Sequence, residues 1–494
     1  MCEMRKYCLS LLLLLLISVS NAVEPPKREI RGVWLTTVYG LDWPRKPATT
    51  EAGRKAQQRD VCDILDRLQD ANFNTVFLQV RLRGDVIWRS AIEPASKTFS
   101  GKYGMMPGYD PLAFVIDECH KRGMECHAWF VTFPLGTDKS VKEQGKLSVV
   151  KRQPKLCKRH NGEWYLDPGV PGTADYVLSL VKELVNGYDI DGIHFDYIRY
   201  PEQAKSFPDK AQYTKYGKKR PLAEWRRENI NKMVYRIYDW VKSVKPWVQV
   251  SSSPLGKYNR IERVPNAGWT AYESVFQDPK IWMQNGKQDM IVPMMYYLHD
   301  NFFPFVDNWV DNCNGRLVVP GLGAYRMLKE EADWTVNDIT DQIDSRYYGG
   351  AGCTFFRCAN VLDNTKGLYD ELKDKYYKYP AQLPPLSWLN DTVPAAPEEI
   401  QVEKEGSELK LSWRKPDSEK EVLTYTVYYS LTDSIDPVSA RSILMTGIRD
   451  TSIYLPVDTA SERGYTFSVS SSTRYHIESA LSKETYYYLS KYPK

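Results

Sequence analysis

Short apolar runs alternate with helical patterns along most of the chain, and this alternation constrains the fold more than any other feature. Eight runs from residue 31 onward are rich in β-branched and aromatic residues, as strands are. Their ranges are 31–37, 75–81, 125–130, 191–200, 248–254, 289–297, 316–323 and 352–359. Between them, apolar residues return every three or four positions, which predicts helices that pack one face on a sheet. The clearest helical patterns cover 57–71, 111–123, 174–187, 224–243 and 335–349.

Strand–helix units in this order build a parallel sheet, and eight of them can close into a (β/α)8 TIM barrel. We assign the barrel to residues 28–378, a length that leaves room for long loops. An open doubly wound sheet is the alternative, but "TTVYGLDWP" after the first strand lacks a Gly-rich phosphate turn. The longest insertions follow the second, third and fourth strands. In a barrel these loops lie on the C-terminal face, where barrel enzymes have their active sites.

The pattern changes after the barrel. Residues 379–393 form a Pro-rich segment that we interpret as a linker. From 394 to 494 the apolar residues alternate with period two between turns, and no helical pattern remains. This alternation predicts a small all-β sandwich.

The N-terminus predicts export. Arg5 and Lys6 precede an apolar run from Leu9 to Val19, which small and polar residues follow, so residues 1–22 have the form of a secretory signal peptide. A retained anchor is the alternative. No later run is long and apolar enough to cross a bilayer, so we expect no transmembrane segment after signal removal. The expected location is the periplasm, the outer cell envelope or the medium.

The amino-acid composition limits which classes of binding partner are expected. The 66 basic and 62 acidic residues are interspersed and leave a net charge of +4, which argues against nucleic-acid binding. The 14 Trp and 34 Tyr residues exceed what a core requires, and such rings can stack on sugars, although any single one can equally fill the core. No cysteine pair or His-flanked cluster has zinc spacing, so we predict no metal and no cofactor. Free thiols are expected, with Cys353 and Cys358 as one possible disulfide.

The stretch "DGIHFDYIRYP", residues 191–201, is an apolar strand that contains two aspartates and a histidine. A carboxylate inside an apolar strand is costly unless it has a use. Side chains alternate along a strand, so His194 and Asp196 share one face, which would point into the barrel lumen. Asp196 then lies near the open C-terminal end, whereas Asp191 begins the strand and is interpreted as a turn or capping residue. The competing interpretation of Asp196 is a structural ion pair with an arginine.

Three stretches, "RGVWLTTVYGLDWP", "FNTVFLQVRLRGDVIW" and "DGIHFDYIRYP", together resemble the bacterial glycosyl-hydrolase-like family 10, from about Arg28 to Tyr377. The C-terminal segment resembles a fibronectin type III module in "LSW" and "YTVYYS". The family resemblance implies a TIM-barrel glycosidase, and members include an enzyme that cuts peptidoglycan strands stripped of their stem peptides. The family often has a second acid directly after the one matched by Asp196, where this chain has Tyr197. That departure leaves the mechanism open.

Glycoside cleavage normally needs two carboxyl groups, one protonated and one ionised. Asp196 leads the catalytic candidates. Its partner is sought among acids that follow the first two strands, Asp85, Asp42 and Glu93, with Asp85 ranked first; Asp42 could instead make an Asx turn. A single acid is also possible if the N-acetyl group of the substrate supplies the nucleophile.

Other strand ends supply groups for substrate binding. Aromatic side chains there could stack on sugars, and an arginine could pair with the lactyl carboxylate of a muramyl sugar. The candidates are Arg81, Gln79, Trp129, His194, Arg199, Tyr200, Tyr296 and Arg357. Gln79 and Arg81 are expected on one face of the second strand.

Two functions remain open at this level. The first is an exported glycoside hydrolase that acts on a bacterial glycan, namely peptidoglycan strands lacking stem peptides. The second is a carbohydrate-binding or cell-envelope scaffold whose barrel has lost activity; the tyrosine at position 197 keeps this alternative open.

Overall fold

A computed structural model describes residues 24–217, 219–344, 350–417, 423–432, 434–456 and 463–489. The predicted signal peptide, residues 1–22, lies outside the described residues. The described residues before the C-terminal module form twelve strands, numbered here in chain order. They are β1 (Ile30–Leu35), β2 (Thr75–Arg81), β3 (Glu125–Val131), β4 (Pro134–Thr137), β5 (Cys157–His160), β6 (Glu163–Leu166), β7 (Gly192–Asp196), β8 (Gln249–Ser252), β9 (Met290–Ile291), β10 (Leu317–Val318), β11 (Gly321–Leu322) and β12 (Gly352–Phe355).

Nine of these strands form one parallel sheet, in the order β10-β9-β8-β7-β3-β2-β1-β12-β11. Strands β10 and β11 are two parts of one interrupted strand, since β10 pairs with β9 while β11 pairs with β12. The amide of Val319 donates to the carbonyl of Ile291 at 2.9 Å, and that of Thr354 donates to Pro320 at 3.1 Å, so the two ends of the sheet meet. The sheet is therefore an eight-membered barrel. This confirms the predicted (β/α)8 fold against the open doubly wound alternative.

Helices follow most of the barrel strands, and each predicted helical pattern overlaps one; residues 345–349 of the last pattern lie outside the described residues. The helices are α1 (Glu51–Asp70), α2 (Lys97–Ser100), α3 (Pro111–Lys121), α4 (Asp138–Gln144), α5 (Val149–Arg152), α6 (Pro171–Gly187), α7 (Lys210–Tyr216), α8 (Leu222–Val244), α9 (Ala271–Ser274), α10 (Pro279–Gln284), α11 (Phe303–Asp311), α12 (Val336–Asp344), α13 (Cys358–Leu362) and α14 (Leu368–Glu371). Local sequence sets their starts: the Asp110 carboxylate accepts from the amide of Ala113 at 3.1 Å and caps α3, whose first residue is a proline. None of the described helices has the length and apolar character that crossing a bilayer requires.

The barrel has two apolar cores. The larger one lies between strands and helices and contains residues such as Ile193 and Phe195, which point outward from β7. The smaller one fills the lumen and includes Trp34, Phe77 and Trp129. The alternation of side chains along each strand produces these two layers.

The C-terminal module is an all-β sandwich, as predicted. Its strands are β13 (Glu398–Glu405), β14 (Glu408–Arg414), β15 (Thr424–Ser430), β16 (Ile443–Ile448), β17 (Ser452–Pro456), β18 (Arg463–Ser472) and β19 (Thr485–Leu489). They form two antiparallel sheets, in the orders β13-β14-β17 and β16-β15-β18-β19. Leu411, Val427 and Val469 pack between the sheets.

The predicted linker and the sandwich both contact the N-terminal end of the barrel. Leu386 is fully buried and joins the lumen core together with Tyr475 and Ile477 of the sandwich. Between these last two residues, His476 lies 2.7 Å from Glu125 at the start of β3. The end of the barrel opposite the active-site loops is thus closed by C-terminal residues. At the same end Asp191 accepts from the amide of Cys126 at 2.8 Å, the capping role that the sequence suggested.

Candidate active site

A cavity of about 550 Å³ opens at the C-terminal end of the barrel. Its volume lies within the range of small-ligand sites. Strand ends β1, β2, β3 and β7 contribute to it, and the hairpin of β5 and β6 forms one wall. Its aromatic lining consists of Trp34, Trp129, Tyr165, Tyr197, Tyr296 and Phe356. Such a lining suits the faces of sugar rings.

Asp196 is the last residue of β7 and lines this cavity. Its side chain is only 5% exposed. One carboxylate oxygen, Oδ1, accepts a hydrogen bond from the amide of Tyr197 at 2.7 Å, and Oδ2 accepts one from the indole Nε1 of Trp129 at 3.2 Å. The carboxyl group is therefore fixed in orientation at the cavity wall. No arginine or lysine forms an ion pair with it in the described part of the chain.

Burial raises the pKa of Asp196 above its ordinary value. The nearby Arg199 guanidinium and hydrogen bonds from Tyr197, Ser253 and Trp129 lower this pKa, but their effect is smaller than that of desolvation. A carboxyl group with a raised pKa keeps its proton to higher pH and can donate it to a leaving group. The arrangement can therefore perform general acid catalysis.

His194 lies one layer deeper in the lumen and is fully buried. Its Nε2 accepts from the indole of Trp34 at 3.2 Å, and its Nδ1 lies 2.9 Å from the hydroxyl of Ser251. Burial lowers its pKa well below the ordinary value, so the ring is neutral. The alternation predicted for β7 thus holds, but His194 lies beneath the cavity lining and supports the wall of the site.

Asp42 lies outside the cavity lining and has protein partners on both oxygens. Oδ2 accepts from the amide of Thr36 at 2.8 Å and also from the Thr36 hydroxyl, while Oδ1 accepts from the amide of Ala359 at 3.1 Å. The Arg357 guanidinium lies 3.6 Å away. These contacts join the loop after β1 to the start of α13, a structural role that differs from the Asx turn considered from the sequence.

Asp85 also lies behind the cavity wall, 5% exposed. It accepts from the amide of Arg83 at 3.1 Å, which closes the turn after β2. Burial raises its pKa, and hydrogen bonds from Ser96 and Arg83 oppose the rise. Asp85 therefore closes the turn that follows β2. It does not line the cavity beside Asp196.

Glu93 and Arg81 form an ion pair at 2.7 Å, and both side chains are fully buried. The ladder between β2 and β3 shifts register between Gln79 and Arg81. This bulge turns Arg81 away from the lumen. Outside the lumen its guanidinium also donates to the carbonyl of Thr132 at 2.9 Å. The expectation that Gln79 and Arg81 share a face is therefore wrong. Arg81 has no contact with the cavity.

The remaining predicted binding residues divide into two groups. Gln79, Trp129 and Tyr296 line the cavity. The Gln79 side-chain oxygen accepts from the amides of Thr37 and Val38 at 3.0 and 2.9 Å, which leaves its amide nitrogen available to a ligand. Tyr200, Arg199 and Arg357 do not line this cavity. Tyr200 packs among aromatic rings outside the barrel, and Arg199 lies over the Tyr197 ring at 4.6 Å.

Glu163 was missed by sequence reasoning and lines the cavity. It begins β6, directly after the Asn161-Gly162 turn of the β5–β6 hairpin. Its carboxylate accepts from Arg83 at 2.8 Å and from the Tyr165 hydroxyl at 2.8 Å, and its side chain is 33% exposed. An Asn-Gly dipeptide between two short strands is a hairpin signal, so the turn could have been found in the sequence.

Comparison with known proteins identifies the family. The profile of "Glycosyl hydrolase-like 10" matches residues 29–309. Glycosyl hydrolase YngK of Bacillus subtilis is 30% identical over 488 residues, which cover 93% of each chain. Glycosyl hydrolase DigH of Escherichia coli K12 is 34% identical over 354 residues, covering 65% of this chain and 80% of that protein.

Among solved structures, the glycoside hydrolase domain of PgaB (BpsB) from Bordetella bronchiseptica aligns with a TM-score of 0.49 and 14% identity, over 71% of this chain and 99% of that chain. The family match spans more than half of the chain, and YngK matches nearly all of it. The chain therefore belongs to the glycosyl hydrolase-like 10 family and is an enzyme of the glycoside hydrolase type.

Proposed function

We propose that this protein is an exported glycoside hydrolase that cleaves the glycan strands of peptidoglycan from which the stem peptides have been removed. The single observation that carries the proposal is the Asp196 carboxyl group, buried at the wall of an aromatic cavity with a raised pKa and with no cation of the described residues within ion-pair distance. The form of residues 1–22 supports export, and the family resemblance supports the peptidoglycan strand as substrate.

Asp196 acts as the general acid in this proposal. A sugar bound against the aromatic wall places its glycosidic oxygen near the carboxyl group, which protonates the oxygen as the bond breaks. The hydrogen bonds from Trp129 and Tyr197 hold the group in one orientation, so little ordering remains to be done in the transition state.

Glu163 is our candidate for the second carboxylate. Asp42 and Asp85 have protein partners and do not line the cavity, whereas Glu163 and Glu202 do; of these two, Glu163 is held in place by Arg83 and Tyr165. The ion pair with Arg83 and the hydrogen bond from Tyr165 hold the carboxyl group at the cavity wall, where a second carboxyl group is needed to activate water or attack the anomeric carbon. If the N-acetyl group of the substrate is the nucleophile, Glu163 instead contributes to binding alone.

The test is digestion of purified, amidase-treated glycan strands, with products analysed by mass spectrometry. We expect new reducing ends with the native protein, a loss of roughly 100-fold or more in Asp196→Asn, and a smaller or similar loss in Glu163→Gln. Asp175→Asn is the matched control and should cleave normally, because Asp175 is an exposed carboxylate on α6 that does not line the cavity. Tight binding of strands without cleavage by the native protein would overturn the proposal and support the scaffold alternative.

A further inference from the structure

A second depression, of about 450 Å³, lies beside the cavity and shares Tyr296 with it. It is built by the segment after β9 and the loop after β11, so it opens on the same C-terminal face. Its lining includes Tyr297, Asn301, Arg326 and Trp334, and one acidic residue, Asp300, beside His299. A chain that passes Asp196 can therefore continue across Tyr296 into this depression.

Arg326 brings a positive charge to the lining of the depression, and the carboxylate paired with it is distant. Its guanidinium lies 5.6 Å from the ring centre of Tyr325 and 5.8 Å from that of Trp334. The carboxylate paired with it, that of Glu331, is 3.8 Å away, too far for a hydrogen bond. The Nε atom is buried and has no hydrogen-bond partner. The guanidinium thus keeps donors for a ligand.

Two further cations surround Tyr297. Arg199 is 4% exposed, it lowers the pKa of both Tyr297 and Asp196 by its charge, and within the described ranges its Nε and Nη1 atoms have no hydrogen-bond partner and no carboxylate lies within ion-pair distance. Lys257 lies 4.7 Å from the Tyr297 ring and donates only to neutral oxygens, those of Asn301 at 2.6 Å and Ala267 at 2.9 Å. A buried charge without a partner is costly. An anionic ligand group would reduce that cost.

Hydrogen bonds to two backbone carbonyls hold the loop of the depression in shape. The amide of Trp334 donates to the carbonyl of Arg326 at 3.0 Å, and Lys366 donates to the carbonyl of Trp334 at 2.8 Å. The loop is therefore formed before a ligand arrives, which lowers the entropic cost of binding.

We propose that this depression binds a sugar residue that carries a carboxylate, on the same glycan strand whose glycosidic bond lies against Asp196. The inference rests on the proposed function and extends it: the rings of Tyr297 and Trp334 contact the sugar, and Arg326 pairs with its acidic substituent. Because the depression continues the cavity on one side, the enzyme recognises more of the strand than the sugars that flank the cleaved bond.

The test compares intact glycan strands with strands whose carboxyl groups have been converted to amides. The native protein should cleave intact strands with a kcat/KM about tenfold higher, the loss expected for one charge-assisted hydrogen bond. Arg326→Gln should cleave both kinds of strand at the same low rate, and Arg326→Lys should recover part of the preference. Lys329→Gln, an exposed cation of the same loop, is the matched control and should keep the full preference.

Equal cleavage of both kinds of strand by the native protein, or a full preference in Arg326→Gln, would overturn the inference while leaving the proposed function intact. Binding of both kinds of strand to Asp196→Asn, which needs no turnover, separates the two ideas. If the native protein cleaves nothing but binding to Asp196→Asn still depends on the carboxylate and on Arg326, the proposed function fails and the binding site stands.

Discussion

Replacing Trp129 by phenylalanine removes the indole N–H from which Asp196 accepts a hydrogen bond, and it keeps an aromatic ring in the cavity wall. This hydrogen bond stabilises the ionised carboxylate and lowers the pKa of Asp196. Its length is 3.2 Å, at the long end for an N–H donor. A hydrogen bond to a charged group contributes about 1.5–3 kcal/mol, so we take the lower limit. Since one pKa unit corresponds to about 1.4 kcal/mol, the pKa of Asp196 should rise by about one unit in Trp129→Phe.

The sign of the effect on rate follows from the role of the acid. A general acid must be protonated, so kcat/KM falls as pH rises through the pKa of Asp196 in the free enzyme. Raising that pKa moves this alkaline limb to higher pH by about one unit. The assay is a pH profile of kcat/KM on glycan strands, with unfolding followed separately because the smaller ring costs on the order of 1–2 kcal/mol of stability.

Trp34→Phe is the matched control. Trp34 also lines the cavity, but its indole donates to His194 at 3.2 Å and not to Asp196. This variant should keep the alkaline limb in place. A limb that moves to lower pH in Trp129→Phe, or that moves equally in both variants, would refute the reasoning.

Three further predictions concern stability. His476→Gln should cost about 1.5–3 kcal/mol in urea unfolding near pH 6, because Glu125 loses one of its two histidine partners and keeps His127 at 2.8 Å. The pKa of His476 is raised and that of Glu125 lowered, so the pair stabilises below the ordinary histidine pKa of ~6.5 and its contribution fades as pH rises through the raised value. An equal cost at pH 6 and pH 9 would contradict this. Glu93→Gln should lower stability by about 3–5 kcal/mol through the unpaired Arg81 yet leave kcat of the folded protein near normal, whereas a large loss of kcat would return Glu93 to the catalytic candidates. Gly192→Ala should lower the melting temperature, because the added Cβ would lie 2.2 Å from Nδ1 of His127 and overpacking costs about 1–3 kcal/mol; an unchanged melting curve would show that the lumen has room.

The barrel and the placement of Asp196 could be predicted because both depend on local patterns. The alternation in β7 puts Ile193 and Phe195 against the helices and His194 and Asp196 in the lumen, whatever the rest of the chain does. The strand–helix order then determines which end of β7 is the open one. One short stretch was therefore enough to locate the leading carboxyl group.

The partner carboxylate could not be predicted in the same way. Asp42 and Asp85 follow strand ends, but acids at such positions can also have structural roles. Asp85 closes a turn through the amide of Arg83, and Asp42 joins two loops through the amides of Thr36 and Ala359. Arg81 was misplaced for a related reason: a bulge reverses the face of a side chain, and no residue type in "LQVRLR" signals it.

Glu163 reaches the cavity through long-range structure. The β5–β6 hairpin pairs with β4, which follows directly after β3, and this three-stranded sheet covers one side of the barrel mouth. The sequence shows the turn but not where the hairpin folds back. Likewise, the contact of His476 with Glu125 joins residues 351 positions apart, which no local pattern reveals.

The dependence of kcat/KM on the leaving group of the substrate tests the role of Asp196 most directly. Glycan strands have a poor leaving group that needs a proton, whereas a dinitrophenyl glycoside of the same sugar has a good one that does not. We predict that Asp196→Asn lowers kcat/KM on strands by roughly 100- to 10,000-fold and on the activated glycoside only slightly. An equal loss on both substrates, or normal cleavage of strands by Asp196→Asn, would contradict the assignment of Asp196 as the general acid.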